Sequence, residues 1–554
     1  MRDLELLKYG GTASAAVDQP AMDRAGQDGG TEEESVIRGA LGTLRGGQMP
    51  NRPAYVRKLV AFLAIMGPGL IVMVGDNDAG GITTYAQAGQ AFGVSLLWLF
   101  PLLLVVLYVA QEMVARLGSV TGVGHARLIR ERFGRFWAAF SVFDLFLLNF
   151  LTLLTEFIGI DMGMSYFGVR PVVSVPISAV AMIGIVLTGK LYRWERYMLL
   201  LIVVSLLVIP LMLLAPVDWA SVAHATVVPS VAGGLSSTAM IFIIGIIGTT
   251  IAPWQLFFQQ SNVIDKKIGT RWTNYERADT LFGSVVTNVA GAAVLIAAAF
   301  AFAGTAMAGK SSNALALAQG FGHHLGPEAG AIFAVVLLEA AMIGAATVTV
   351  STSYALADMF GLKSSLDTHV RRAKGFYASY AALVAVAAGI VLLPHLPLGL
   401  INLGVQVLAG VLLPSALGFL VLLCNDTELL GPWVNSPWLN VLASLIVGTL
   451  LQLSLVLTLV TVFPQVDVTV VTIVTGLPVL LATIAVAVVQ RRKAGRWTVP
   501  PQEIERRRVW VSSPEVLLHR PPMSKGRKAV LGVLRGYLVV AMVLTVVSFV
   551  HLAR

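Results

Sequence analysis

The sequence predicts an all-α polytopic membrane protein: two inverted halves of five helices, with the first helix of each half broken, and further helices after them. Three observations carry this. Of 554 residues, 56% are hydrophobic and only 12% charged, with a mean hydropathy of +0.79, whereas a soluble domain carries about 25% charge. Apolar runs long enough for a ~30 Å hydrocarbon core recur along nearly the whole chain. The first and sixth of these runs are interrupted by residues that lipid-facing helices do not carry. A transmembrane barrel would instead alternate in strands of about 10 residues.

Taken in order, residues 1–55 are polar and Gly-rich ("MRDLELLKYGGTASAAVDQPAMDRAGQDGGTEEESVIRG") and predict a disordered cytoplasmic tail. They lack the basic start and apolar stretch of a secretory signal, so the first helix directs insertion. Spans follow near 57–90, 94–118, 137–163, 171–189 and 197–215, then 237–262, 280–304, 329–360, 374–394 and 398–424. These ten form a core over 56–424; helices 11 and 12 lie within 425–490, near 437–463 and 468–490. A basic cytoplasmic loop covers 491–528, and 529–554 reads as a further transmembrane helix.

The net charge of +9 follows the membrane rather than a nucleic acid. With the N-terminus inside, Arg127, Arg130, Arg132 and Arg135 fall in one inner loop, and Lys190, Arg193 and Arg196 in the next. Lys266, Lys267, Arg271 and Arg277 follow, then Lys363, Arg371, Arg372 and Lys374, while the outer loop "APVDWASVAHATVVPS" carries no Lys or Arg. That is the positive-inside bias, and it places the N-terminus in the cytoplasm. The single cysteine, Cys424, sits in an apolar run and reads as a small core residue.

The first interruption is "GDNDAGG", with Asp76 and Asp78; the second is "IIGIIGTTIAPWQLFFQQS", with Pro253. Proline removes a backbone donor, and glycines weaken a helix. A carboxylate at membrane depth costs at least a few kcal/mol, so it faces a partner or a water-filled path. Five spans per half is odd, so the second half enters from the opposite side. Paired broken helices at matching repeat positions mark a transporter's central site.

"GPGLIVMVGDNDAGGITTYAQAGQAFGVSLLWL" with "QEMVARLGSVTG" resembles the first two helices of the natural resistance-associated macrophage protein (Nramp) family of divalent-metal transporters. "LLTEFIGI" resembles its third helix, "GTTIAPWQLFFQQS" its sixth and "VNSPWLNVLASLIVG" its eleventh, a likeness over about 57–463. The resemblance implies a LeuT-like fold with a metal site at the two breaks. It departs from the family pattern at several of those positions. The family's Asp-Pro-Gly-Asn is matched by Asp78-Ala79-Gly80-Gly81, and its Met-Pro-His by Ala252-Pro253-Trp254; Gln259 matches a second histidine, and Leu153 an acid before Glu156. These departures resemble the Nramp-related magnesium transporters.

Thioether sulfur selects soft metals, while carboxylates, carbonyls and water suit Mg²⁺ and Mn²⁺. Mg²⁺ keeps several waters and binds through one or two carboxylates, so losing the thioether at Ala252 fits a partly hydrated ion. Asp78 is therefore expected as the metal carboxylate. Asp76 either contacts the metal or serves as a helix-terminus or gate residue. The resemblance adds the carbonyls of Thr249 and Ala252, and Gln406. At Gly81 the amide is missing, and Asn77, Gln255 or water fills the gap. Glu156 is either an acid of the path or a structural partner; Trp254 packs or narrows the cavity; Gln259 occupies a former proton-carrying position.

The expected function is inward uniport of Mg²⁺, with Mn²⁺, by alternating access. All eight histidines lie in loops or at span ends, so no imidazole relay serves protons. Proton-coupled Mn²⁺/Fe²⁺ import is the alternative, and transport of a small organic solute trails it because two aspartates repel a carboxylate substrate. The chain is expected to be no enzyme, to need no cofactor, and to act as a monomer in the bilayer of the plasma membrane, with the metal ion as its substrate and no nucleic acid as a partner. Deleting residues 1–50 is expected to leave flux nearly intact.

Overall fold

The structure is a computed structural model describing residues 36–44, 53–393, 398–463 and 465–494, with isolated residues at 507, 510, 512, 532, 533 and 536. It begins with a hairpin, β1 (Ile37–Gly39) and β2 (Gly42–Leu44), paired antiparallel with Ile37 opposite Leu44. The first half is α1 (Ala54–Ile65), α2 (Pro68–Val74), α3 (Ala79–Phe92), α4 (Leu99–Thr121), α5 (His125–Phe133), α6 (Arg135–Tyr166), α7 (Pro171–Val186), α8 (Leu191–Ser205) and α9 (Val208–Leu214). After α10 (Trp219–Val227), the second half is α11 (Ser237–Thr250), α12 (Pro253–Asp265), α13 (Thr273–Phe302), α14 (Ala314–Leu325), α15 (Pro327–Phe360), α16 (Lys374–Val391) and α17 (Leu398–Cys424). The short α18 (Thr427–Leu430) leads to α19 (Pro437–Val462) and α20 (Val468–Ala494).

Among the described residues, ten helices are long and apolar enough to cross a membrane, and the bent pair α1–α2 also qualifies if taken as one span. The shorter, apolar α7 takes the fourth place. Both breaks are real: span 1 is α2 and α3 joined through Gly75–Asp78, and span 6 is α11 and α12 joined through Ile251 and Ala252. The two halves repeat one another's packing. α2 and α3 of span 1 lie on α13 (span 7), as α12 of span 6 lies on α4 (span 2). Span 3 (α6) packs on span 8 (α15), each also touching the fourth helix of the other half, α16 and α7. The short connecting helices α5 and α14 follow spans 2 and 7, again matching positions.

Two expectations are corrected here. The expected span 57–90 is not one element, because the chain turns 51° between α1 and α2. Gly67 makes the turn with a φ of 149°, a backbone conformation open to glycine. The tail is not devoid of packing either. Ile37 and Leu44 are buried against Ala61, Ala64 and Ile65 of α1 and against Val263 and Ile268 beyond the second break. At the other end, α20 extends to Ala494, and Arg507 lies over the Trp433 ring at 5.5 Å while Trp433 Nε1 donates to Arg507 O at 3.2 Å. Apart from residues 510 and 512, the rest of the basic loop between 495 and 528, and the thirteenth span apart from residues 532, 533 and 536, lie outside the described residues.

Candidate functional site

The first break ends α2 and caps α3. Asp78 is the N-cap of α3, its Oδ1 accepting from Gly81 N at 2.6 Å, the usual way a carboxylate satisfies an orphan amide at a helix start. The second break follows from proline chemistry. In α11 the carbonyl of Thr249 would accept from the amide of residue 253, which as Pro253 has no N–H. The Gly248 carbonyl loses its partner as well, since Ala252 N donates instead to Gln255 Oε1 at 3.2 Å. The last carbonyls of α11 are thus freed of their helical partners at the negative end of a helix dipole, and the Thr249 hydroxyl lies against Gly81 in the first turn of α3.

Around the breaks the side chains are buried and acidic. Asp76, Asn77, Asp78, Thr249, Ala252 and Gln406 are all under 5% exposed. Gln406, on α17, donates to Asp78 Oδ1 at 3.4 Å. Glu156 on α6 accepts from Ala79 N at 3.0 Å through Oε2, and its carboxyl lies beside that of Asp78. Gly344 on α15 leaves the room for this, because a Cβ there would stand 2.7 Å from Asp78 Cβ and 2.8 Å from Glu156 Oε2. Asp76 faces the Trp254 indole. Oδ2 of Asp76, Oδ1 of Asn77, Oγ1 of Thr249 and Oε1 of Glu156 are buried without a hydrogen-bond partner. Orphaned oxygens of this kind leave room for a water or an ion as partner, since buried polar groups are otherwise paired.

The site residues named from sequence separate into two groups. Asp76, Asp78, Asn77, Gly81, Thr249, Ala252, Gln406, Glu156 and Trp254 come together at the breaks. Asn77 Nδ2 is held by Thr287 O at 3.0 Å, leaving its orphan oxygen as the available donor atom. The Ala252 carbonyl accepts from Gln255 N at 3.2 Å and keeps a second lone pair. Gln255 is committed to structure: besides Ala252 N, its Oε1 accepts from Gln111 Nε2 at 3.2 Å, and its Nε2 reaches Val72 O at 3.5 Å, tying the two broken spans together. Gln259 lies a turn further along α12, bonded to Glu276 Oε1 at 3.2 Å and Thr280 Oγ1 at 2.9 Å on α13.

Sequence reasoning missed what surrounds these residues. Asn402 Nδ2 donates to Gly80 O at 3.3 Å beside Gln406. On the side of the basic loops, Asp279 accepts from Gly67 N, Gly69 N and Leu70 N at 3.1, 2.8 and 3.3 Å and so holds the start of α2. On the opposite side a small cavity is lined by Ala79, Thr83, Gly159, Met162 and Asn313. Glu112 pairs with Arg116 at 3.2 Å, as its spacing indicates, and with Arg277 at 2.7 Å.

Among the described residues, no three His, Cys, Asp or Glu side chains form a metal cage by themselves. The donor set at the breaks is three carboxylates, the amides of Asn77 and Gln406, a hydroxyl and backbone carbonyls: all oxygen, with no sulfur or imidazole.

The sequence matches known proteins over most of its length. Divalent metal cation transporter MntH 1 of Pseudomonas aeruginosa is 28% identical over 426 residues, covering 74% of this chain and 93% of its own. Divalent metal cation transporter MntH of Granulibacter bethesdensis is 26% identical over 416 residues, 71% and 88% of the two chains. The fold is similar to that of the Eremococcus coleocola manganese transporter, with a TM-score of 0.59 and 20% identity over 83% of this chain and 99% of that one. The family model for natural resistance-associated macrophage protein-like sequences matches residues 69–460, both breaks included, and the chain belongs to the Nramp family.

Proposed function

We propose that this chain is a divalent-metal carrier of the plasma membrane that takes up Mg²⁺, and Mn²⁺ with it, as an uncoupled uniporter acting as a monomer. The side bearing the basic loops is the cytoplasm in this reading, as the charge bias argues. The observation that carries the reading is the oxygen-only donor set at the two breaks. Three acidic groups (Asp76, Asp78 and Glu156) meet orphaned oxygens of Asn77 and Thr249 with no soft donor among them, and hard oxygen ligands favour Mg²⁺ and Mn²⁺. Carboxylates at this spacing repel unless a cation or a proton sits with them. Ala252, small where a thioether would reach inward, supports an ion that retains water.

The test is flux into proteoliposomes with Mg²⁺, Mn²⁺, Ca²⁺ and Cd²⁺ compared side by side, with a pH dye in the lumen. Expected are Mg²⁺ and Mn²⁺ uptake without lumenal acidification, and loss of uptake in Asp78→Ala, with Asp76→Ala impaired less. Normal flux in Asp78→Ala would sink the site assignment. The second reading is proton-coupled import of Mn²⁺, favoured by the position of Glu156 beside Asp78, where a displaced proton could be received. Metal-dependent acidification that disappears in Glu156→Gln would establish it over uniport.

A further inference from the structure

The hairpin outside the family's common body touches the most heavily buried ion pair among the described residues. At its turn, Ala40 N donates to Glu195 Oε2 at 2.9 Å, and Arg196 Nε donates back to Ala40 O at 3.0 Å. Glu195 Oε1 is 2.8 Å from Lys266 Nζ, both side chains at 0% exposure, and Lys266 Nζ donates onward to Met66 O at 2.9 Å. Glu195 opens span 5, Lys266 follows the end of span 6, and Met66 precedes span 1. One turn of hairpin thus sits over the point where three spans are tied together. Asp279 of span 7 clamps the neighbouring amides of Gly67, Gly69 and Leu70. A carrier must open this side to release its ion, and any opening that parts span 1 from spans 5 and 6 breaks the Lys266 contacts.

The strength of that tie depends on water being kept out. A buried charge pair attracts far more strongly than the same pair in water, and removing one partner's hydrogen bond leaves an unsatisfied charged oxygen. The hairpin supplies both conditions, a donor to Glu195 Oε2 and an apolar cover of Ile37 and Leu44. We propose that residues 36–44 are a bolt on the cytoplasmic mouth of the carrier: docked, the hairpin holds the mouth shut, and its release permits inward opening. The bolt's meaning rests on the carrier reading above, but its test does not.

The test uses the whole chain with Cys424→Ser and a reporter, Thr280→Cys, whose native hydroxyl meets Gln259 inside the closed mouth. Labelling by a membrane-impermeant thiosulfonate is applied from the basic-loop side. Deleting residues 2–35 should leave the rate unchanged; deleting 2–44 should raise it about tenfold or more, the effect of losing one charge-assisted hydrogen bond. Gly39→Val should do the same without a deletion, because a Cβ at Gly39 collides with Ala64 O; it decides the matter if the longer truncation does not fold. Unchanged labelling in well-folded Gly39→Val or the 2–44 deletion overturns the bolt. Since labelling reports opening whether or not any ion crosses, faster labelling in a protein that carries no metal would refute the carrier reading and leave the bolt standing.

Discussion

Placing an asparagine at position 81 should damage this site before it improves it, and the reason is steric. An ideal Cβ on Gly81 collides with Thr249 Oγ1 and stands 3.1 Å from the Asp76 carbonyl oxygen. The glycine in span 1 and the hydroxyl in span 6 are therefore one arrangement, in which Thr249 occupies the space that a side chain at 81 would need. Forcing an extra group into a packed interior costs about 1–3 kcal/mol, which converts to roughly 5- to 150-fold in the population of the closed, ion-bound form. Gly81→Asn and Gly81→Ala should thus both lower Mg²⁺ flux by about that range, the alanine variant showing that the Cβ, not the amide, is at fault. Removing the hydroxyl should relieve the collision: Thr249→Ala with Gly81→Asn should recover most of the flux lost by Gly81→Asn alone. The assay is a double-mutant cycle on initial uptake rates in proteoliposomes, with a coupling energy of about 1 kcal/mol or more expected for groups in contact. Additive effects, or wild-type flux in Gly81→Asn alone, would refute the close approach of the two breaks.

Ala252→Met should place a thioether at the second break and raise Cd²⁺ uptake relative to Mg²⁺; an unchanged ratio would mean that residue 252 does not face the ion. His125, on α5 outside the spans, donates from Nδ1 to Gln260 Oε1 at 2.8 Å, while burial pushes its pKa from the usual 6.5 down to about 4. The unfolded chain then takes up the proton first as pH falls, so stability should decline between about pH 6.5 and 4, read as a falling melting temperature in detergent. His125→Gln should flatten part of that decline, and an identical acid limb would show that His125 does not contribute to it.

What the sequence disclosed was set by local chemistry. A proline with no N–H and a run of glycines around two aspartates break helices wherever they stand, so both breaks and the acids at them could be read without coordinates. The long apolar runs and the bias of Lys and Arg were equally open. What stayed hidden depended on partners far along the chain. The hairpin has strands of three residues each in a polar, Gly-rich setting, and it is ordered by a hydrogen bond to a residue 155 positions away. Lys266 reads as one more charge of a basic loop, yet it is fully buried. Gln255 offered itself as a ligand because only the fold shows that its amide is used on Ala252, Gln111 and Val72. The turn at Gly67 was masked by apolar residues on both sides of it.

The placement of cations separates the two buried acidic clusters. On the basic-loop side, Glu195 is paired with Lys266, and Glu112 with Arg116 and Arg277, so the chain supplies its own countercharges where elements must be held in place. At the breaks, Asp76, Asp78 and Glu156 are likewise buried, yet no Lys or Arg among the described residues pairs with them. A fixed ammonium there would satisfy the carboxylates permanently and leave nothing for a substrate to do. A buried group of like charges is otherwise unfavourable by several kcal/mol, and in the proposed reading that deficit is what a cation from solution relieves when it enters. Glu195 and Glu112 carry built-in cations; the acids at the breaks, in the proposed reading, are left for one that comes and goes.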